Sequence, residues 1–174
     1  MAYEFDGTSQ YLNTASTPVT QAPLTLAAWF YPDNATATFA LMSVTDNAEA
    51  NSSRFGITVN GAVAGDPIQG FAQTNAATGL ANSTSGFSAN AWNHACATFS
   101  SATSRAIFLN GGNSATDATL VTPTVDRIRI GARFSLGSAG LFFDGLIAEV
   151  GIWNAALSAA EIASLAKGMT CDKI

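Results

Sequence analysis

The sequence predicts an all-β protein, a two-sheet antiparallel β-sandwich with one short C-terminal helix. Three observations carry this expectation. Seven short runs, at residues 24–31, 39–44, 55–59, 92–99, 105–109, 127–131 and 146–153, are apolar or alternating. Each is bounded by Gly, Pro, Asn, Asp or Ser, which is how strands are punctuated. A single stretch, after Ser158, carries helix signals. Finally, 174 residues with 48% hydrophobic content suit one domain, spanning 1–174, with one sizeable core.

Taken in order, the run LTLAAWFY at 24–31 is apolar on both alternating sides. It therefore reads as a central strand covered on both faces, with Trp29 expected between the sheets. Asn60-Gly61 and Asn110-Gly111 follow strand-like runs and suit the positive φ angles of tight hairpin turns. At 127–130, Ile128 and Ile130 point one way while Arg127 and Arg129 point the other. Ser158 caps the helix, Glu161 three residues on completes a capping box, and residues 159–166 are strong helix formers. Lys167 complements the last turn and Gly168 ends it.

Charge excludes several function classes. Seven Lys plus Arg against twelve Asp plus Glu leave a net charge of −5. That balance argues against nucleic acid or anionic lipid as a partner. No run approaches the roughly 18 apolar residues of a transmembrane helix, so no membrane insertion is expected. Close behind Met1 stands Tyr3-Glu4-Phe5, without the basic and apolar regions of a signal peptide. This fits either a whole cytoplasmic reading frame or a mature domain with an added Met. Cys96 and Cys171 fall short of a disulfide framework and read as free thiols, with a clasp on the C-terminus as the alternative.

Specific residues then match a known family. Phe5-Asp6-Gly7 with Tyr11-Leu12 resembles the opening of laminin-G-like, concanavalin A-like (pentraxin-like) jelly-roll domains. Residues 24–32 resemble its FTLSAWVKP strand, 92–99 its WxHVAxTY strand and Phe108-Leu109-Asn110-Gly111 its YVNG hairpin. Residues 143–158 are similar to its terminal FxGxIDEVRIYNRALS segment. The resemblance implies a concanavalin A-like jelly roll with the first and last strands side by side. It implies no single function, because function resides in sites placed on a fold.

Candidate sites are sparse. Relatives that hydrolyse polysaccharides carry E-x-D-x-x-E on one strand, and that triplet is absent, so no catalytic residue is expected. Glu4 and Asp6 have same-face spacing but lie on the opening strand, and Glu149 stands among apolar residues. His94, the lone histidine, occupies the family's W-x-H position and reads as structural, with Cys96 on the same face as packing. No cofactor is expected. Structural calcium is disfavoured, because Ala148 stands where relatives often place an Asp ligand. Asp6, Asp66 and Asp144 are the remaining metal candidates, and Asp-Gly pairs at 6–7 and 144–145 also suit turns. For sugar, Trp29, Trp92 and Trp153 fall on family core or strand positions. The loops 59–70, 110–119 and 133–141 are the expected place, with Arg133 and Phe134 the best-equipped pair. The three Asn-x-Ser/Thr sequons, at Asn34, Asn51 and Asn82, are read as chance.

The expected function is a non-enzymatic binding or structural module. The first reading is a virion protein such as a capsid decoration or tail-associated protein, with glycan binding as a further capacity. A secreted, extracellular bacterial lectin-like module is the second, and a polysaccharide hydrolase a distant third. Scarce Lys and Glu, residues depleted from interfaces, favour a partner assembly of self or of a larger particle such as a capsid.

Overall fold

The computed structural model describes residues 1–46, 52–135 and 138–169. In chain order the strands are β1 (Ala2–Asp6), β2 (Leu12–Asn13), β3 (Leu24–Pro32), β4 (Thr38–Thr45), β5 (Arg54–Asn60), β6 (Pro67–Gln73) and β7 (Thr78–Gly86). They continue with β8 (Asn93–Ser101), β9 (Ser104–Leu109), β10 (Gly112–Asp117), β11 (Arg127–Ile130), β12 (Arg133–Ser135), β13 (Ser138–Gly140) and β14 (Asp144–Trp153). One helix, α1 (Ala159–Leu165), follows. The first sheet has the order β1-β14-β3-β8-β9-β10, the second β2-β11-β4-β5-β6-β7, and β12-β13 form a small hairpin. All pairings are antiparallel, and the first strand does lie beside the last, Tyr3 opposite Ile147. Among the described residues no helix is long and apolar enough to cross a membrane.

Alternation builds the core. Leu24, Leu26, Ala28 and Phe30 of β3 point inward and meet Phe55, Ile57 and Val59 from β5 in one cluster. Phe30, Phe39 and Phe5 each present to Phe143 at centroid distances of 5.8–6.4 Å with steeply inclined planes. Such edge-to-face contacts add to the roughly 1.5–3 kcal/mol gained by burying each side chain.

The parity that sends Phe30 inward sends Trp29 outward. Trp29 is half-buried on the outer side of the first sheet, which corrects the expectation that it lies between the sheets. On that side of β3 Thr25 is covered by the segment leading into the helix, donating its hydroxyl to the Ala155 carbonyl at 2.7 Å, and Ala27 is covered by α1. The helix is capped as expected: Glu161 donates its backbone N–H to Ser158 Oγ, and Ser158 N–H donates to Glu161 Oε2 at 2.7 Å. Its Ile162 and Leu165 press on Ala27 and Cys96, with Phe108, Trp153 and Leu157 around them. Lys167 falls beyond the last turn and Gly168 takes φ +90.

Three stretches expected as loops carry strands. β6 begins inside 59–70, β10 lies inside 110–119, and β12 and β13 fold 133–141 into a hairpin. The inward positions of β7 include Gly79 and Ala81, too small to write an apolar alternation into the sequence. Asn110-Gly111 does form a tight reversal, with φ 53 and 74. Asn60-Gly61 does not, because the chain runs on to turn at Gly65 and Asp66, which take φ 87 and 46. Cys171, and with it the suggested clasp, lies outside the described residues, as does Asn51.

Candidate functional site

The outer side of the first sheet is ordered in rows that cross the strands. One row runs Glu4 on β1, Leu146 on β14 and Tyr31 on β3, each opposite the next in register. Trp92, just before β8, extends it, its ring 5.7 Å from that of Tyr31 and inclined by 66°. A parallel row runs Ala2, Ala148, Trp29 and His94. The Trp29 and His94 rings stand 5.3 Å apart. On the far side of these rows α1 covers the sheet, but a seven-residue helix is only about 10 Å long and leaves the aromatic rows open. Trp92 is 43% exposed, and Tyr31, Trp29 and Leu146 are half-buried.

Below the Tyr31–Trp92 row comes an acidic one. Asp6 is opposite Asp144, and Asp33 follows β3, its N–H donating to the Asp144 carbonyl at 3.1 Å. These three, with Glu4 and Gln10, line a hollow at the sheet end. The Asp6 carboxylate accepts the backbone N–H of Thr8, Ser9 and Gln10 and the hydroxyl of Ser9. Those bonds hold its pKa well below the usual carboxylate range, because they favour the charged form. Asp144 accepts from Asn34 Nδ2 at 3.0 Å. Asp66 does not line this hollow: it sits in the β5–β6 turn, its N–H donating to the Val63 carbonyl. The three metal candidates therefore do not converge, and among the described residues no three His, Cys, Asp or Glu side chains are grouped to hold a metal.

His94 and Cys96 do share the outer side, both fully buried. Burial lowers the His94 imidazole to about 4 and pushes the Cys96 thiol up, since each charged form is penalised away from water. At neutral pH both are uncharged packing groups, the imidazole backing Trp29.

Arg133 and Phe134 lie on the second sheet's outer side, in the β12–β13 hairpin. Arg133 is exposed and Phe134 half-buried. The Phe134 ring meets Tyr11 edge-on at 4.9 Å, and the Arg129 guanidinium lies over it at 3.7 Å. Arg54 donates from Nη1 to the Phe134 carbonyl and from Nε to Gln73 Oε1 at 2.9 Å. Burial, then nearby Arg133, lowers the Arg54 pKa. The hairpin pair is therefore largely occupied with holding its own sheet. Of the residues that sequence reasoning set aside, Trp92 is exposed and Trp29 half-buried on the open side of the first sheet.

The structure is similar to a heptameric SAP-like pentraxin from Limulus polyphemus at TM-score 0.74 and 17% identity, covering 95% of this chain and 81% of that one. It is similar to the CBM40 of the Ruminococcus gnavus IT-sialidase, bound to α2,3-sialyllactose, at TM-score 0.71 and 15% identity, covering 95% and 98%. Domain 4 of a GH43 extracellular arabinanase from Geobacillus stearothermophilus, in complex with arabinotriose, matches at TM-score 0.72 and 15% identity, covering 95% and 76%. These likenesses are of fold, and the fold is that of lectin-type binding modules, some of them carried by enzymes. A search of curated proteins gives no match. Residues 6–163 match the family model Laminin_G_3, and the chain belongs to that family of the concanavalin A-like lectin/glucanases superfamily.

Proposed function

We propose that this chain is a non-enzymatic carbohydrate-binding module that takes its ligand on the aromatic rows of the first sheet. One observation carries the reading: Trp92, Tyr31 and Trp29 stand side by side on the outer side of neighbouring strands, open beside the helix. Sugar rings present faces of polarised C–H groups, which are attracted to the electron-rich face of an indole or phenol. Carboxylates at the margin supply the few polar groups that fix orientation in such sites. Two structural neighbours were solved with saccharides bound, which supports a glycan as the ligand class. The virion reading rested on scarce charge, and neither the rows nor the neighbours add to it.

The test is retardation of the native chain in affinity gels cast with a mixed set of neutral and acidic polysaccharides. At least one should retard it, and Trp92→Ala should abolish the retardation while its urea midpoint stays near that of the parent. Equal mobility of parent and variant in every gel would end the proposal.

A further inference from the structure

The rows also say which glycans fit. We infer that the site takes an uncharged polysaccharide as an extended chain laid across the strands, and discriminates against uronic, sialic and sulfated sugars. This rests on the aromatic rows being the site.

Direction comes from the register. Glu4, Leu146, Tyr31 and Trp92 sit on or beside four adjacent strands, so the row is about 15 Å long at the usual strand spacing. The two rows together are only about 7 Å deep, two residues along a strand. On one long side α1 forms a wall over Ala27 and Cys96. The site is thus a shelf much longer than it is deep, suited to several consecutive sugar units and not to a single chain end.

Charge selectivity comes from the other long side. There Asp6, Asp144 and Asp33 follow one another, and Glu4 closes the row at β1. The arginines are placed elsewhere: Arg54, Arg127, Arg129 and Arg133 belong to the second sheet and its hairpin, and Arg105 lies on β9. A ligand carboxylate or sulfate on the shelf meets like charge without a guanidinium to answer it. A neutral sugar meets carboxylate oxygens that accept from its hydroxyls, and charge-assisted hydrogen bonds of this kind are the strong ones. Asp33 is exposed and best placed to make them.

The experiment compares gels of hydroxyethylcellulose, xyloglucan and linear arabinan with gels of polygalacturonate and alginate, using the parent, Trp92→Ala and Asp33→Ala. Oligosaccharides of the polymer that retards best then serve as competitors. We expect Trp92-dependent retardation in a neutral gel and at least tenfold weaker binding in both acidic ones. Asp33→Ala should weaken neutral binding at least fivefold, and a tetrasaccharide should compete at least tenfold better than a disaccharide. Retardation that depends on Trp92 but is equal or stronger in acidic gels overturns the charge selectivity and leaves glycan binding standing. Equal competition by di- and tetrasaccharide overturns the extended chain. Loss of all Trp92-dependent retardation removes the glycan reading itself.

Discussion

The two sheets turn opposite kinds of surface outward. On the first, aromatic rings stand half-open on the strand rows, and the stretch under α1 and the segment leading into it is closed. On the second, Ser43, Thr45, Arg54, Thr58, Asn60 and Arg129 are all buried. Thr38 donates its hydroxyl to Asn60 Oδ1, and Arg54 is held by Gln73 and the Phe134 carbonyl. Bonds of this kind spend the directional capacity of Thr38, Asn60 and Arg54 on stability. An aromatic face left open has apolar area still in contact with water, and covering that area releases about 25 cal/mol per Å². Polarity alone would therefore point away from the proposed site. The relevant question is which groups remain unsatisfied after folding.

Mutation should separate the two faces by stability. The largest loss is expected from Arg54→Ala, which removes a buried side chain and leaves the half-buried Gln73 and Phe134 oxygens without their donor. Each unsatisfied acceptor costs roughly 1–3 kcal/mol, so the unfolding free energy should drop by about 4 kcal/mol in urea titration. A drop below about 1 kcal/mol would show that the second face is not self-supporting.

Next comes acid. His94 has its folded pKa depressed to about 4 against an ordinary 6.5, so the folded protein binds fewer protons than the unfolded chain between those values. Its contribution is complete above about pH 6.5, declines as pH falls toward 4, and is spent below. The shift corresponds to about 3 kcal/mol. His94→Gln should flatten that part of the stability profile relative to the parent, and an unchanged slope would place the imidazole in water.

Smaller still are the tryptophans. Trp29 is half-buried against His94, so Trp29→Ala should cost about 1–2 kcal/mol, below the 3–5 expected of a core tryptophan. Trp92→Ala should cost about 0.5 kcal/mol or less, in the range of surface substitutions. If either matched a core loss, the first face would be structural and the contrast between the faces would fail.

Much of the fold was readable in the residues. Alternation at Ile128 and Ile130, the Asn110-Gly111 reversal and the Ser158/Glu161 box are local devices whose physics needs no partner. Pro67–Gln73 and Thr78–Gly86 were not readable, since apart from Ile68 their inward positions include Gly70, Ala72, Gly79 and Ala81, too small to write an apolar rhythm. The proposed site was obscured for a related reason. In residues 24–31 both parities are apolar, and no property of the run says which parity faces the other sheet. Ala27 is apolar because Ile162 and Leu165 of α1, far later in the chain, land on it, and this long-range cover made Trp29 look like core. Asp6 does hold a turn, accepting from Thr8, Ser9 and Gln10, but Asp144-Gly145 opens β14 and is no turn, and the alignment of both aspartates with Asp33 appears only once β14 is inserted between β1 and β3.

That insertion has a consequence for how the chain acquires its structure. The strand that joins β1 to β3 is nearly the last to be synthesised, so until about residue 153 exists the first sheet is divided into a lone hairpin-less strand and a four-strand remainder. Ala2 must wait for Ala148, a sequence separation close to the whole length of the domain. Proteins dominated by such distant pairings pay loop-closure entropy before their contacts reward it, and they fold slowly. Meanwhile β3 exposes an unpaired edge in an apolar setting, which invites pairing with another chain. The nascent domain is thus most vulnerable to aggregation shortly before β14 emerges, and its final strand acts as the closing stitch of the sheet.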